Sequence, residues 1–315
     1  MWEKVNIVFR LKSPLHIGYM PFRGSVVSPT RYYVPGRGLW GAITKRITEY
    51  LCEKNHRKPE PSDYKEIGKQ IIKNFRFSYF YLCDEKMIYF PRYTDEGVKY
   101  GDNKNLIPKS EFERRFIGSL ISTAIESNGV AKDKSLHEIE FINSRFKDEN
   151  GNLKDVKIAG CIWIKNDAKI ETEIIMVNNS SIFIENFNII EELILGGESK
   201  YGFGHVILDS VNQIDFSHLA PFKWKNPENV EINDEEFLVA HLKYSKNLRF
   251  NGDIELLTGR GYFDPKRLEN DNNTKTSDKP GEIISKAEYY FSPGTILKED
   301  MICIMNWDGT LILNS

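Results

Sequence analysis

Residues 193–208 read LILGGESKYGFGHVIL, a loop with four glycines that leads into an apolar strand. The glycines are Gly196, Gly197, Gly202 and Gly204. Glycine adopts positive φ angles and lets another backbone approach closely, so this spacing predicts a sharply folded loop. The loop also holds Lys200, which offers a charge to a phosphate, and Tyr201, which offers a face to a base. The pattern fits a loop that holds a nucleic-acid backbone against a sheet edge, and it equally fits a simple tight turn.

Outward from this loop, alternating apolar residues or a continuous apolar run predict strands, and apolar residues three and four apart predict helices. The predicted strands cover residues 5–11, 158–164 and 204–211, and the predicted helices cover 38–54, 64–73 and 187–195. The remaining stretches predict a hairpin at 75–90, a mobile insertion at 94–112 and a long protruding hairpin at 116–146. This order is typical of an α+β fold with a ferredoxin-like (RRM-type) antiparallel sheet core and two helices on one face. We expect the other face to stay free for binding, as in RNA-recognition modules.

The chain divides into two predicted parts. Residues 1–217 form the ferredoxin-like domain, with insertions at about 55–112 and 116–157. Residues 218–315 form a mostly β C-terminal segment.

Composition narrows the class of protein. The chain has 315 residues, of which 40% are apolar and 28% charged, in the range of a globular protein with a packed core. No apolar run approaches the roughly 20 residues that cross a bilayer, and the N-terminus lacks the apolar region of a signal peptide. The four cysteines are widely separated and form no CxxC pair, which favours reduced thiols in a cytoplasmic protein and disfavours a structural zinc site.

Charge is distributed unevenly along the chain. The formal net charge is −2, but residues 1–46 hold eight Lys and Arg side chains against one acid, Glu3, and carry +7. A basic N-terminal part on an acidic body predicts a local site for a polyanion or, equally, a solvated basic face.

Residues 36–41, GRGLWG, match the pattern GxGxxG at the start of a predicted helix. Trp40 is bulky where a pyrophosphate needs room, which disfavours a dinucleotide site. The first amides of a helix lack intrahelical partners, so this turn, with Arg37 in it, predicts an anion site.

Residues 13–18 read SPLHIG, and residues 33–42 read YVPGRGLWGA. Residues 196–204 read GGESKYGFG, and two half-apolar arms flank a polar stretch within residues 122–141. In this order, the motifs resemble the strand end, the PG turn, the glycine-rich loop and the thumb hairpin of the RAMP superfamily of CRISPR-associated proteins. The resemblance covers roughly residues 5–208.

The resemblance implies a CRISPR RNA-binding subunit of a type III effector ribonucleoprotein. Its partners would be CRISPR RNA, other effector subunits and, indirectly through guide pairing, target RNA. We expect no cofactor, no metal site and no membrane partner. The expected RNA-binding residues are His16, Arg31, Tyr33, Gly36, Arg37, Lys45, Gly196, Gly197, Lys200, Tyr201, Gly202 and Gly204. We expect the glycine-rich loop to lie beside the Arg37 turn, so that both grip one ribose-phosphate chain.

Catalysis is not expected. Members of this superfamily that cut target RNA usually carry an aspartate between the first strand and the PG turn, whereas residues 13–35 contain no acidic side chain. This difference and the extra C-terminal segment favour the cap that grips the five-prime handle over the repeated backbone subunit. The alternative from another class is a metal-independent endoribonuclease that processes precursor CRISPR RNA, with His16 or His205 in acid-base catalysis.

Overall fold

The computed structural model describes residues 1–18, 25–84, 87–102, 104–127, 129–133, 135–178, 181–213, 218–258, 260–261, 283–284 and 286–314. Its helices are α1 (Gly36–Lys54), α2 (Pro61–Asn74) and α3 (Lys109–Phe116). The strands up to residue 211 are β1 (Trp2–Leu11), β2 (Val27–Ser28), β3 (Tyr33–Val34), β4 (Phe75–Phe77), β5 (Phe80–Cys83), β6 (Phe90–Thr94), β7 (Gly97–Gly101), β8 (Leu106–Pro108), β9 (Ile117–Ser122), β10 (His137–Ile142), β11 (Arg145–Lys147), β12 (Leu153–Asp155), β13 (Lys157–Lys165), β14 (Lys169–Ile170), β15 (Glu173–Val177), β16 (Ile182–Ile184), β17 (Phe187–Asn188), β18 (Glu192–Ile194) and β19 (His205–Val211). The later strands are β20 (Val230–Ile232), β21 (Leu242–Lys243), β22 (Phe250–Asn251), β23 (Ile254–Leu257), β24 (Arg260–Gly261), β25 (Ile283–Ile284), β26 (Glu288–Phe291), β27 (Ile296–Leu297), β28 (Met301–Met305) and β29 (Leu311–Leu313).

The central sheet is built around β1. This strand pairs antiparallel with β13 on one side and with β19 on the other. The sheet runs in the order β18–β19–β1–β13–β5–β3, and β4 also pairs with β13. Successive side chains of a strand point to opposite faces, so Ile7 and Phe9 enter one core while Val8 enters another.

Helices α1 and α2 cover the first face of this sheet. Leu39, Ile43 and Ile47 recur at helical spacing along α1, are fully buried, and belong to the same apolar core as Ile7 and Phe9. Full burial of such a side chain contributes roughly 1.5–3 kcal/mol, which fixes α1 on the sheet.

The C-terminal segment covers the second face over β1, β13, β5 and β3, so the expectation of a free sheet face is wrong. Val8, Cys161 and Trp163 on this face share a buried core with Phe222 and Trp224. Above them, a second sheet runs in the order β20–β28–β29–β21–β26–β23. Because both faces of the central sheet are core, its middle strand β13 is apolar along nearly its whole length.

The α+β class is confirmed, as are the helices predicted at 38–54 and 64–73. The helix predicted at 187–195 is wrong: its apolar residues fit either period, and the chain uses them in β17 and in β18, which pairs with β19. The insertion at 94–112 is structured, because β7 and β8 form a small sheet with β6 and Tyr100 stacks on Phe112 with ring centroids 4.1 Å apart.

Both long helices lie between β1 and β4. The second helix of the ferredoxin-like order would fall between β13 and β19, where the described residues form strands β14–β18. A ferredoxin-like core and the division at residue 217 therefore stay predictions. No helix among the described residues is long and apolar enough to cross a membrane.

Candidate nucleic-acid interface

The glycine-rich loop between β18 and β19 depends on its glycines. Gly196, Gly202 and Gly204 have φ angles of +76°, +83° and +83°. A Cβ atom at Gly196 would lie 2.1 Å from the carbonyl oxygen of His16, and one at Gly204 would lie 2.0 Å from that of Leu195. No other residue fits these two positions, because backbone atoms occupy the space of a side chain.

Hydrogen bonds fix the loop to residues 14–16, just after β1. The amide of Gly197 donates to the carbonyl of His16 at 2.9 Å, and the amide of Gly204 donates to the carbonyl of Pro14 at 2.7 Å. The amide of Lys12 donates to the carbonyl of His205 at 2.8 Å. The two ends of the loop are thus held by the end of the central strand.

A single 3₁₀ turn, Ser199–Tyr201, forms the outer part of this loop. Lys200 is exposed, and Tyr201 is 76% exposed. A fixed backbone that presents a cation and an open aromatic ring can pair a phosphate and stack a base. The structure thus brings Lys200 and Tyr201 together with all four predicted glycines.

His16 lies beneath the loop and is only 4% exposed. Its Nδ1 lies 2.7 Å from the carbonyl oxygen of Glu140, which can only accept, so Nδ1 carries a proton and donates. His205, at the end of the loop, is 38% exposed, and its Nε2 lies 3.3 Å from Oε2 of Glu192. Of the two histidines considered for acid-base chemistry, only His205 has substantial access to solvent.

A β-hairpin stands next to the loop. Strands β9 and β10 pair antiparallel over their full length. At the base of this hairpin, the ring of Phe141 meets the ring of Phe203 edge-on, with centroids 5.4 Å apart. Towards its end the apolar side chains are open to solvent, as in Ile121 and Ile125, which are 64% and 72% exposed.

Arg31 and Tyr33 lie away from this surface, inside the protein. Arg31 is 8% exposed, and its Nη1 and Nη2 each donate to the carboxylate of Glu255 at 3.0 Å. Its Nη1 also donates to the hydroxyl of Tyr33, itself 8% exposed. Glu255 further contacts Nε2 of His241, whose Nδ1 lies 2.6 Å from the hydroxyl of Tyr79. Arg31, which we expected to contact a phosphate, instead forms a buried ion pair that joins the residues leading into β3 to β23 of the C-terminal segment.

The turn at Gly36 and Arg37 is also covered. A Cβ atom at Gly36 would lie 2.7 Å from the carbonyl oxygen of Asp308, in the turn between β28 and β29. The guanidinium of Arg37 lies over the ring of Trp307, 5.7 Å from its centroid. The start of α1 therefore faces protein backbone, and the anion site expected there is not open.

The structure does not bring Arg37 beside the glycine-rich loop. Strand β3, which leads into Arg37, is at one edge of the sheet, and β18 and β19 are at the other. Four interstrand spacings of about 4.8 Å separate β3 from β19. The expected joint grip of Arg37 and the loop on one ribose-phosphate chain is therefore wrong.

The basic side chains of residues 1–46 are spread over the molecule. Lys45, on the outer side of α1, pairs with Glu49 at 3.8 Å. Arg46 faces Glu191 and Glu192, and Arg23 lies outside the described residues. Among the described residues of this part of the chain, the basic side chains therefore form no single surface, although Lys12 lies at the foot of the loop.

A cleft of about 720 Å³ lies at the same end of the sheet. Its lining has five basic and five acidic side chains, many of them paired, as Arg10 is with Asp155 at 3.1 Å and Lys157 with Asp209 at 2.8 Å. Such a balanced lining does not favour a polyanion. Within the part of the chain that the structure describes, no group of three or more potential ligands is arranged to hold a metal ion.

Comparison with known proteins gives likenesses in structure alone. No protein-family model and no curated protein matches the chain. It is similar to a chain of the type III-B Cmr-beta complex bound to cognate target RNA, with 12% identity, a TM-score of 0.46, and coverage of 94% of this chain and 86% of that chain. It is also similar to a chain of the Csm3–Csm4 subcomplex of the type III-A CRISPR-Cas interference complex, with 13% identity, a TM-score of 0.38, and coverage of 95% and 93%.

A third likeness is to Cmr4, with 17% identity, a TM-score of 0.28, and coverage of 67% of this chain and 100% of that chain. These solved structures are RAMP-type subunits of type III complexes, the group that the sequence motifs resemble. All three TM-scores are below 0.5.

Proposed function

We propose that this chain is a non-catalytic subunit of a type III CRISPR effector ribonucleoprotein and binds CRISPR RNA through its glycine-rich loop. The observation that carries the proposal is the rigid loop, held by the backbone of residues 14–16, from which Lys200 and Tyr201 face solvent. One phosphate pairs with Lys200, and a neighbouring base stacks on Tyr201. The hairpin of β9 and β10 is the thumb in this proposal. Other effector subunits are its protein partners, and target RNA is contacted through guide pairing.

Within that complex we favour the cap that grips the five-prime handle over the repeated backbone subunit. The C-terminal sheet supports this choice, since it adds bulk over β1, β13 and β5 on the second face of the central sheet and would hinder regular stacking into a filament. The absence of an acidic side chain between residues 13 and 35 is the second support.

Binding is tested with Lys200→Ala and Tyr201→Ala and a single-stranded RNA of CRISPR repeat sequence. Removal of a stacking ring typically costs about 1–3 kcal/mol of binding free energy per base, so Tyr201→Ala should weaken binding by a factor of roughly 5 to 150. Lys200→Ala should reduce the slope of log affinity against log salt by about 0.7, the value for one phosphate contact on a single strand.

The matched controls are Tyr289→Ala, at a tyrosine that is 60% exposed, and Lys225→Ala, at an exposed lysine. Both lie on the C-terminal segment, and both should bind RNA like the wild type. Equal affinities for the loop variants and their controls would contradict the proposal.

The endoribonuclease alternative rests on His205, which has solvent access and a carboxylate partner in Glu192. We expect repeat RNA to stay intact when it is incubated with the protein in EDTA. Specific cleavage that His205→Ala or His16→Ala abolishes would establish the enzyme instead. His16 is the weaker candidate because its ring is buried and its Nδ1 is engaged.

A further inference from the structure

Residues 14–17 lie between the glycine-rich loop and the hairpin of β9 and β10. On one side, Pro14 accepts a hydrogen bond from the amide of Gly204 at 2.7 Å. On the other, Leu15 exchanges two backbone hydrogen bonds with Ile142 at the end of β10, at 2.9 and 2.8 Å. Backbone hydrogen bonds therefore connect this short segment to both the loop and the hairpin.

His16 contacts both partners at once. Its carbonyl accepts the amide of Gly197 in the loop, and its Nδ1 donates to the carbonyl of Glu140 in the hairpin. Its Cδ2 would lie 3.3 Å from a Cβ atom at Gly197, so the imidazole also packs against the loop from below. The rings of Phe141 and Phe203 form a second contact between the hairpin and the loop.

We infer that His16 is a positioning residue that locks the loop and the hairpin into one rigid RNA clamp. The inference rests on the proposed function, because it assumes that RNA held by Lys200 and Tyr201 continues along the base of the hairpin. His16 acts through its Nδ1–H bond: without that donor the carbonyl of Glu140 loses its partner, and the hairpin changes its angle to the loop. RNA then contacts one arm of the clamp at a time.

Two substitutions separate the nitrogen atoms of the ring. In His16→Asn the amide nitrogen is bonded to Cγ, as Nδ1 is, and can still donate to Glu140. In His16→Gln the amide nitrogen lies one atom further out, near the position of Nε2, so the bond to Glu140 is lost. His16→Gln should weaken binding of repeat RNA by roughly twofold to tenfold, the value of one intramolecular hydrogen bond, whereas His16→Asn should bind like the wild type.

A distance measurement tests the joint without RNA. Spin labels at Ser199→Cys in the loop and Glu126→Cys near the hairpin tip report the spread of distances between the two arms by pulsed electron resonance. All four native cysteines are buried, so labelling is confined to the new sites. We expect one narrow distribution in the wild-type background and in His16→Asn, and a broad one in His16→Gln.

A narrow distribution in His16→Gln would overturn the inference. An equal broadening in Phe141→Leu, which reduces the ring contact but leaves His16 in place, would also overturn it. If His16→Gln does not fold, Phe141→Leu is compared with the wild type, and a broad distribution in Phe141→Leu then overturns the inference. Should Lys200→Ala leave RNA binding unchanged, the proposed function fails, while the distances still decide whether His16 forms the joint.

Discussion

Glu255→Gln tests whether the buried ion pair holds the C-terminal segment on the central sheet. The carboxylate of Glu255 is 13% exposed and receives both terminal nitrogens of Arg31, which is 8% exposed. Glutamine has nearly the same volume, but it turns an amide group towards the guanidinium and leaves that charge buried without a counterion. Removal of one partner from a buried pair typically costs about 3–5 kcal/mol, so we expect a loss of this size in the free energy of unfolding.

The assay is urea denaturation followed by tryptophan fluorescence, which reports on the buried Trp163 and Trp224 of the shared core. The matched control is Glu49→Gln, because Glu49 pairs with Lys45 on the surface, where such a pair is worth about 0–1 kcal/mol. The double variant Arg31→Met with Glu255→Leu should lose less than Glu255→Gln alone, since no charge is left unpaired.

Equal urea midpoints for Glu255→Gln and Glu49→Gln would refute this reasoning. A double variant that is less stable than Glu255→Gln would also contradict it, because the loss would then come from packing rather than from an unpaired charge.

Three further predictions concern the backbone, the core and pH. Gly204→Ala should lower the melting temperature and abolish RNA binding, because a Cβ atom there meets a carbonyl oxygen at 2.0 Å, whereas Gly41→Ala, in open space within α1, should be neutral or gain up to about 1 kcal/mol. Ile43→Ala, at a fully buried position of α1, should cost about 2–5 kcal/mol in urea denaturation. Burial opposes ionisation of Glu255, but its hydrogen bond to His241 and the charge of Arg31 outweigh it and lower the pKa to about 2, so this group loses its stabilising effect as pH falls from about 4.5 towards 2. Burial lowers the pKa of His241, so the unfolded chain binds this proton at a higher pH than the folded chain does, and stability starts to fall below about pH 6.5. Urea midpoints measured between pH 7 and 3 check both effects. A midpoint that rises on acidification would contradict them.

Local sequence pattern was enough for the parts that depend on neighbouring residues. The spacing of Leu39, Ile43 and Ile47 predicts α1 because one apolar stripe must face a sheet. The glycine spacing also predicted the sharp fold of the loop, since Gly196 and Gly204 do adopt positive φ angles and lie against backbone atoms. The glycine spacing did not predict which segment the loop packs against, namely residues 14–16.

Long-range pairing decided the remaining features. From its neighbours in sequence alone, Arg31 is predicted to be exposed. Its partner Glu255 lies 224 residues further along the chain and meets it only in the folded protein. In the same way, nothing within residues 1–46 indicates that Arg37 meets Trp307. One available signal was the apolar strands of the C-terminal segment, because they needed an apolar surface to pack on and the central sheet has one on its second face.

The C-terminal sheet has a practical consequence for genetic work on this protein. With apolar cores on both sides of the central strands, substitutions at Val8, Cys161 or Trp163 should change the yield of folded protein rather than its affinity for a ligand. A library sorted for lost RNA binding at normal expression should therefore return hits on the outer margin of the sheet, around Lys200 and Tyr201, and few from its interior.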